Sequence, residues 1–311
     1  MVKKCQQCGT EVLHQEQHQD AKSKASLEIL HCHHCGLIQQ AHIPTEDELK
    51  IYYSHHYRTD YKSVYQPKIK YVRRAGLAAL DRVHFLEKHL GKIHGQQLID
   101  IGAGGGEFVY MAHSHGFAAR GIEPNQGYSE FARQVYDMRI DTATIDALEA
   151  QSADVITMFH VLEHMPKPDA VMRKVFESLK PGGYFFVEVP NILQQDASPH
   201  NIYFKAHLYY FSEYSLRAIA EPYFEVQALE SHGNLKMLFK KREIVKNFAA
   251  PSPATIELQK KALSQKGWLS YLTVGGGWKK PLRRVSQYRA EAQIKDMSPK
   301  VLLDQLRFAK P

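Results

Sequence analysis

Cysteine is scarce in this chain of 311 residues: there are four, and none lies beyond position 35. A disulfide framework for the body of the protein is thereby excluded. Long apolar runs are missing too. No stretch approaches the roughly 18 apolar residues of a membrane span, and the opening Met1-Val-Lys-Lys-Cys-Gln-Gln-Cys8 lacks the apolar core of a signal peptide. A folded, cytoplasmic protein is expected, with 44% hydrophobic residues to build its core. Internal repeats are absent, and so is an even spread of charge. The net charge is +7, yet residues 240–311 hold 16 basic and 5 acidic side chains, which leaves residues 1–239 at −4. A mildly acidic body lacks the many cationic phosphate contacts of a long nucleic-acid groove.

The four cysteines are Cys5, Cys8, Cys32 and Cys35, two C-x-x-C pairs each followed by a glycine, Gly9 and Gly36. Two such knuckles can give four thiolates to one tetrahedral zinc, the arrangement of a zinc ribbon. A site closed by four thiolates has no open position, so such a zinc is structural. The gap between the pairs is longer than usual for a ribbon, which predicts a loose hairpin tip. His14, His18, His31, His33 and His34 crowd the same stretch and read as solvated surface residues that could also stand in for a ligand.

Residues 99–106 read Ile-Asp-Ile-Gly-Ala-Gly-Gly-Gly, an apolar strand running into a glycine turn. The dinucleotide fingerprint G-x-G-x-x-G is not met, because Glu107 occupies the third glycine position. The spacing is G-x-G-x-G after Asp100. Glycine turns also serve merely to reverse a chain, but a second acid, Glu123, ends the next apolar stretch, where a carboxylate can accept both hydroxyls of a ribose. Strands expected at 97–101, 118–122, 139–144, 155–159 and 184–189 alternate with helical segments, the pattern of a doubly wound α/β sheet. A helix over 68–90, a helix capped by Ser212 and two strands near 224–229 and 235–239 complete the reading. The expected division is a zinc ribbon (1–44), a helical connector and lid (45–95), a catalytic domain (96–245) and a basic helical tail (246–311).

Two further motifs follow the glycine turn: Asp154-Val-Ile-Thr-Met-Phe-His160-Val-Leu-Glu163-His164-Met-Pro166 and Lys180-Pro-Gly-Gly-Tyr-Phe-Phe-Val-Glu-Val-Pro190-Asn191. In register with the turn and the Ile122-Glu123-Pro124 strand end, they make the chain resemble the class I S-adenosylmethionine-dependent methyltransferases. The resemblance implies a seven-stranded Rossmann-like sheet, its last two strands antiparallel at one edge, and S-adenosylmethionine as cofactor. It implies that Asp100, Gly102 and Gly104 meet the methionine part, Glu123 the ribose, and that Phe159 and His160 border the cofactor. In that family an acid after the third strand often meets the adenine. Asp146 is the candidate here, with a helix cap before Ala147 as the alternative.

A narrower resemblance is to sugar C-methyltransferases. It rests on the two knuckles, a tyrosine-rich connector from Tyr52 to Tyr71, the glycine turn, Tyr203-Phe-Lys-Ala-His207-Leu-Tyr-Tyr-Phe-Ser212 and Ser231-His-Gly-Asn-Leu235. It implies a saccharide-type acceptor and proton transfer by His207 and Tyr203. That family reads Tyr-x-Glu-His where Ala206 precedes the histidine here, and its large C-terminal domain is replaced by a short basic tail, so O-methylation of a sugar or lipid-linked saccharide is open. His164, in a string shared by enzymes with unrelated acceptors, reads as positional. The Asn-Pro-Pro-Tyr motif of enzymes acting on planar amino groups is missing. The rival reading is a zinc-ribbon RNA methyltransferase, in which the connector, ribbon and tail would grip phosphates. In the tail, Trp268-Leu-Ser-Tyr-Leu-Thr-Val274 and Lys279-Lys-Pro-Leu-Arg-Arg284 could dock on an anionic membrane surface or pack as a helical hairpin on the core.

Overall fold

The computed structural model describes residues 3–11, 13–45, 48 and 67–309. The tyrosines from Tyr52 to Tyr65, and with them most of the expected lid, lie outside the described residues. The chain opens with strands β1 (Leu13–Gln19), β2 (Ser26–Cys32) and β3 (Ile38–Gln40), followed by helix α1 (Ile69–Leu90). Then come β4 (Gln97–Ile101), α2 (Glu107–Ser114), β5 (Ala118–Ile122), α3 (Gln126–Tyr136), β6 (Ile140–Asp141), β7 (Ala153–Phe159), α4 (Pro168–Ser178) and β8 (Leu179–Val189). After the short β9 (Tyr209–Tyr210) come α5 (Glu213–Ala220), β10 (Phe224–Glu230), β11 (Leu235–Lys241) and four tail helices, α6 (Pro253–Ser264), α7 (Trp268–Leu272), α8 (Lys280–Ala292) and α9 (Pro299–Leu306).

Seven strands form one mixed sheet in the order β10-β11-β8-β7-β4-β5-β6. This is the doubly wound, methyltransferase-type sheet that the sequence predicts. Strand β4 pairs in parallel with β5 and β7, and β10 with β11 antiparallel. The strand order reverses beside β4, so the loop that follows it opens at the switch point where ligands of such sheets bind. Leu98, Ile99 and Ile101 are buried, as a strand covered on both faces requires. Helix α1 stops at Gly91, whose positive φ lets its N–H reach the Glu87 carbonyl. Ser212 caps α5 as expected, in a reciprocal pair with Ser215. Two strands differ from expectation. β6 has only two residues, because Thr144 starts a 3-10 turn over Ile145–Ala147. β8 begins at Leu179, ahead of the expected Tyr184, drawing Lys180-Pro-Gly-Gly into the strand.

The chain divides into two compact units that interleave in sequence: Met1–Leu49 with Phe159–Phe176 and Phe186–Lys280, and Lys50–Met158 with Glu177–Phe185 and Pro281–Pro311. In the first unit, β1, β2, β3 and β9 form a separate antiparallel sheet. Its inner face, Leu27, Ile29 and Ile38, packs with Ile192 and Tyr210 into a small apolar core. Gln259 of α6 is buried there too, donating to the Gly36 carbonyl at 2.6 Å and accepting from the Ser212 hydroxyl. In the second unit, Leu303 of α9 sits so close to α1 that a Cβ on Gly76 would lie 2.5 Å from it. The Tyr110 hydroxyl donates to Asp304, and Arg74 pairs with the buried Glu291 at 2.7 Å. No helix among the described residues is long and apolar enough to cross a membrane.

Candidate functional site

In the second unit the turn after β4 is a cradle of backbone N–H groups. Gly102, Gly104 and Gly106 all have positive φ. At Gly106, which opens α2, a Cβ would lie 2.6 Å from Ala132, so the glycine that permits close packing stands one position before the expected Glu107. The Glu123 carboxylate faces this loop: one oxygen accepts the Gly104 N–H and the other the Asn125 N–H, each at 2.9 Å. Each oxygen keeps acceptor capacity for a ligand hydroxyl. Asp100, 3% exposed, accepts the Thr157 hydroxyl at 2.6 Å. Burial pushes Asp100 up to about 7 against the opposing pull of Thr157. It also pushes Glu107 up to about 7 and raises Glu123. Three buried carboxyls around one loop favour a polar, cationic ligand there. Asp146 lies on the exposed 3-10 turn, its carboxylate accepting the Thr144 hydroxyl at 3.0 Å.

In the first unit, His160 follows β7 with φ of 55°, a left-handed conformation that costs a non-glycine residue energy and clusters at functional sites. Phe159 is buried edge-on against Phe186. The strained turn aims the His160 ring between two buried carboxylates, with Nδ1 3.5 Å from Glu163 and Nε2 3.2 Å from Glu188. Burial alone would depress the ring, but Glu163 and Glu188 together outweigh it and hold His160 protonated up to about 9. Asn234, just before β11, donates to Glu188 at 2.7 Å. Beyond Glu163, the His164 and His207 rings meet edge to face at 5.0 Å. Burial pushes His207 down to about 4.

The ring contacts of Tyr203 are with His18 of β1, stacked at 3.9 Å, and with Tyr210; those of His207 are with His164, Phe204 and Tyr210. The two residues thus share Tyr210 as a neighbour. The amino-terminal sheet grips the segment that carries them. Strand β3 pairs with β9, and Gln40 donates its side-chain amide to the carbonyls of Lys205 and His207 at 2.9 and 2.7 Å. Asp20, at the hairpin tip, accepts from Ser23 and from the Lys205 N–H, which hold its carboxyl down at about 2. The tip is therefore tied down, contrary to the looseness expected from its length. The polar cavity beside it, about 460 Å³ in volume, is lined by Gln17, His18, Lys24, His200 and Tyr203.

Cys5, Cys8, Cys32 and Cys35 bring their sulfurs within 4.8 Å of one another. The Cys5–Cys35 and Cys8–Cys32 separations are 3.5 and 3.6 Å. Those are close to the edge of a tetrahedron with zinc–sulfur bonds of about 2.3 Å. Gly9 and Gly36 turn the chain at positive φ after each pair. Hydrogen bonds from Cys35 and Cys5 pull the Cys32 thiol down, and the contacts of Cys35 with Cys32 and Cys5 push Cys35 up. Four sulfurs so spaced are the donor set of a tetrahedral zinc. Glu163, Glu188, Asn234, Thr157 and Gln40 escaped the sequence reading. Glu163, Thr157, Glu188 and Asn234 all stand within motifs that the sequence shows, and Gln40 alone stands outside them.

A family model described as a methyltransferase domain matches residues 71–223. Among curated proteins, the chain is 29% identical over 118 residues to a ubiquinone biosynthesis O-methyltransferase of Idiomarina loihiensis, covering 35% of this chain and 49% of that protein. It is 33% identical over 118 residues to the Stutzerimonas stutzeri protein of the same name, covering 35% and 50%. The chain thus spans about half the length of these relatives. Among solved structures, an S-adenosylmethionine-dependent methyltransferase from Mesorhizobium loti aligns with 17% identity and a TM-score of 0.44, covering 51% of this chain and 96% of that one.

Proposed function

We infer, from the premise that residues 71–223 of this chain are a class I methyltransferase domain, that the whole protein transfers a methyl group from S-adenosylmethionine to a hydroxyl of a small, saccharide-type acceptor. One observation carries the reading: the Glu123 carboxylate is turned onto the Gly104 N–H of the glycine loop at the switch point of the sheet. An adenosyl ligand held there offers its ribose hydroxyls to Glu123 and its methionine end to the loop of Gly102 and Gly104 with Asp100. Phe159, His160 and Asp146 are the further candidates for cofactor contact. The relatives are named for O-methylation, which favours oxygen over carbon as the methylated atom. The saccharide class rests on the tyrosine–histidine segment from Tyr203 to His207 and on the polar cavity beside Tyr203.

Bound S-adenosylmethionine supplies an electrophilic methyl; in transfer the carbon–sulfur bond breaks with its electron pair going to sulfur, and an acceptor oxygen gives the pair of the new bond. The residues then have to align the acceptor, exclude water and deal with its proton. Alignment can supply most of the acceleration. His207, with Tyr203 as its partner, serves the acceptor side, where a ring nitrogen has a lone pair to give. His160, held as a cation between Glu163 and Glu188, fixes the chain where β7 ends. The four cysteines hold a structural zinc that keeps β3 and β9 paired, and so keeps His207 in place. Reduced thiols suit the cytoplasm. Residues 268–280 leave Trp268, Leu269, Val274 and Trp278 exposed near Lys279 and Lys280, a composition suited to peripheral contact with an anionic membrane.

The test is His207→Ala. Turnover of a panel of hydroxylated acceptors should fall by about a hundredfold or more, while calorimetric affinity for S-adenosylhomocysteine stays within twofold. Absence of heat with S-adenosylhomocysteine in the unaltered protein would end the reading.

A further inference from the structure

Glu163 is 1% exposed, and among the described residues neither of its carboxylate oxygens accepts a hydrogen bond, the nearest donor being His160 Nδ1 at 3.5 Å. A carboxylate buried in this way draws positive charge to itself. The nearest groups are imidazole nitrogens, both against Oε1: His160 Nδ1 at 3.5 Å and His164 Nε2 at 3.9 Å. The second contact is the informative one. His164 Nδ1 lies 2.7 Å from the Ala206 carbonyl, which can only accept, so Nδ1 carries a proton and Nε2 is the nitrogen turned toward Glu163. Metal-ligating histidines are oriented in this way, by donating the other ring N–H to a backbone carbonyl. His207 completes the group, with one ligand atom from each of Glu163, His164 and His207 lying within 4.8 Å of the others. Its backbone is fixed too: the Leu208 N–H donates to the Glu163 carbonyl at 2.8 Å, and Gln40 holds the His207 carbonyl.

We propose that Glu163, His164 and His207 form a second metal site, distinct from the four-cysteine cluster, which takes a borderline transition-metal dication. Two imidazoles and one carboxylate suit Mn²⁺, Co²⁺ or Zn²⁺ better than the all-oxygen cations Ca²⁺ and Mg²⁺. Three protein ligands leave positions open, as in catalytic rather than structural sites. The role of the ion rests on the methyl-transfer reading: its open positions take an adjacent pair of acceptor oxygens, orient one of them and ease the loss of its proton. His207 then contributes its lone pair to the ion.

The experiment is a titration of the full-length, zinc-loaded protein with Mn²⁺, read by the loss of the free-ion electron paramagnetic resonance signal. One Mn²⁺ per chain should bind saturably. Glu163→Gln and His207→Gln should each weaken it at least tenfold, while one equivalent of zinc and the calorimetric response to S-adenosylhomocysteine are retained. If Glu163→Gln loses its zinc or fails to fold, His207→Gln decides. Saturable Mn²⁺ binding that is absent from the unaltered protein, or equal in the variants, overturns the site. Heat with S-adenosylhomocysteine but no Mn²⁺ binding would sink the metal site alone; Mn²⁺ binding without that heat would sink the methyl-transfer reading and leave the site standing.

Discussion

The glycine cradle and the histidine–carboxylate cluster are built from different materials. The cradle lies within one stretch, Asp100 to Asn125, where backbone N–H groups of Gly104 and Asn125 hold Glu123, and the Thr157 hydroxyl on the neighbouring strand holds Asp100. The cluster is assembled from side chains at 160–164, 188, 207 and 234, and its groups compensate one another's charge across those distances. A backbone cradle tolerates many side chains provided the glycines stay. A side-chain cluster exists only while every supporting element is in place, and here one support is the amino-terminal sheet through Gln40 and Asp20.

That contrast is open to test, and the largest effect should come from the ribbon. Cys32→Ser removes one of four thiolates, and since a structural zinc is worth on the order of 10 kcal/mol in folding free energy, zinc content should fall below one equivalent. Proteolysis should then reach the segment from Tyr203 to Tyr210, while S-adenosylhomocysteine still binds. Loss of zinc with no change in protease sensitivity would separate the ribbon from that segment.

Next is the pH response of the cradle. Asp100 ionises near 3.9 when unfolded and near 7 in the fold, so between those values the folded chain keeps a proton that the unfolded chain has lost. Stability from this group is therefore present at low pH and lost as pH rises toward 7. Urea unfolding of the ligand-free protein should show a drop between pH 5.5 and pH 7.5 to which Asp100 contributes about 2 kcal/mol and Glu107, also raised to about 7, a similar share. Asp100→Asn should remove the Asp100 share, roughly half of the drop, and leave that of Glu107; an unaltered slope in the variant would assign the whole drop elsewhere.

Glu123→Ala deletes a charged acceptor and should weaken S-adenosylhomocysteine by about 10- to 100-fold, from the 1.5–3 kcal/mol typical of bonds to charged groups. Mn²⁺ affinity should not change. The smallest effect belongs to Gln40→Ala. It removes the amide that holds the Lys205 and His207 carbonyls and should cost about 1 kcal/mol, read as a lower kcat with cofactor affinity unchanged. A KM effect alone would contradict a positioning role.

Much of the fold was open to sequence reading because it is local. The strands at 97–101 and 118–122 emerged with the expected bounds, since apolar runs flanked by turn residues bury on both faces of a parallel sheet. Ser212 capped its helix as its chemistry demands. β6 was overestimated because β propensity at 142–144 lost to a local 3-10 turn. The hairpin tip was misjudged because its restraint comes from Tyr203 and Lys205, far away in the chain.

The sequence by itself determined the Asp100–Gly104 turn, the Glu123 strand end and the paired cysteine knuckles, because each is set by spacing within a few residues and by glycine's access to positive φ. Only the tertiary structure decided that Glu163 is buried without accepting a hydrogen bond, that Glu188 and Asn234 meet His160, and that the ribbon holds His207. These are contacts between residues dozens of positions apart, and burial and electrostatic compensation act through space, which no local pattern encodes.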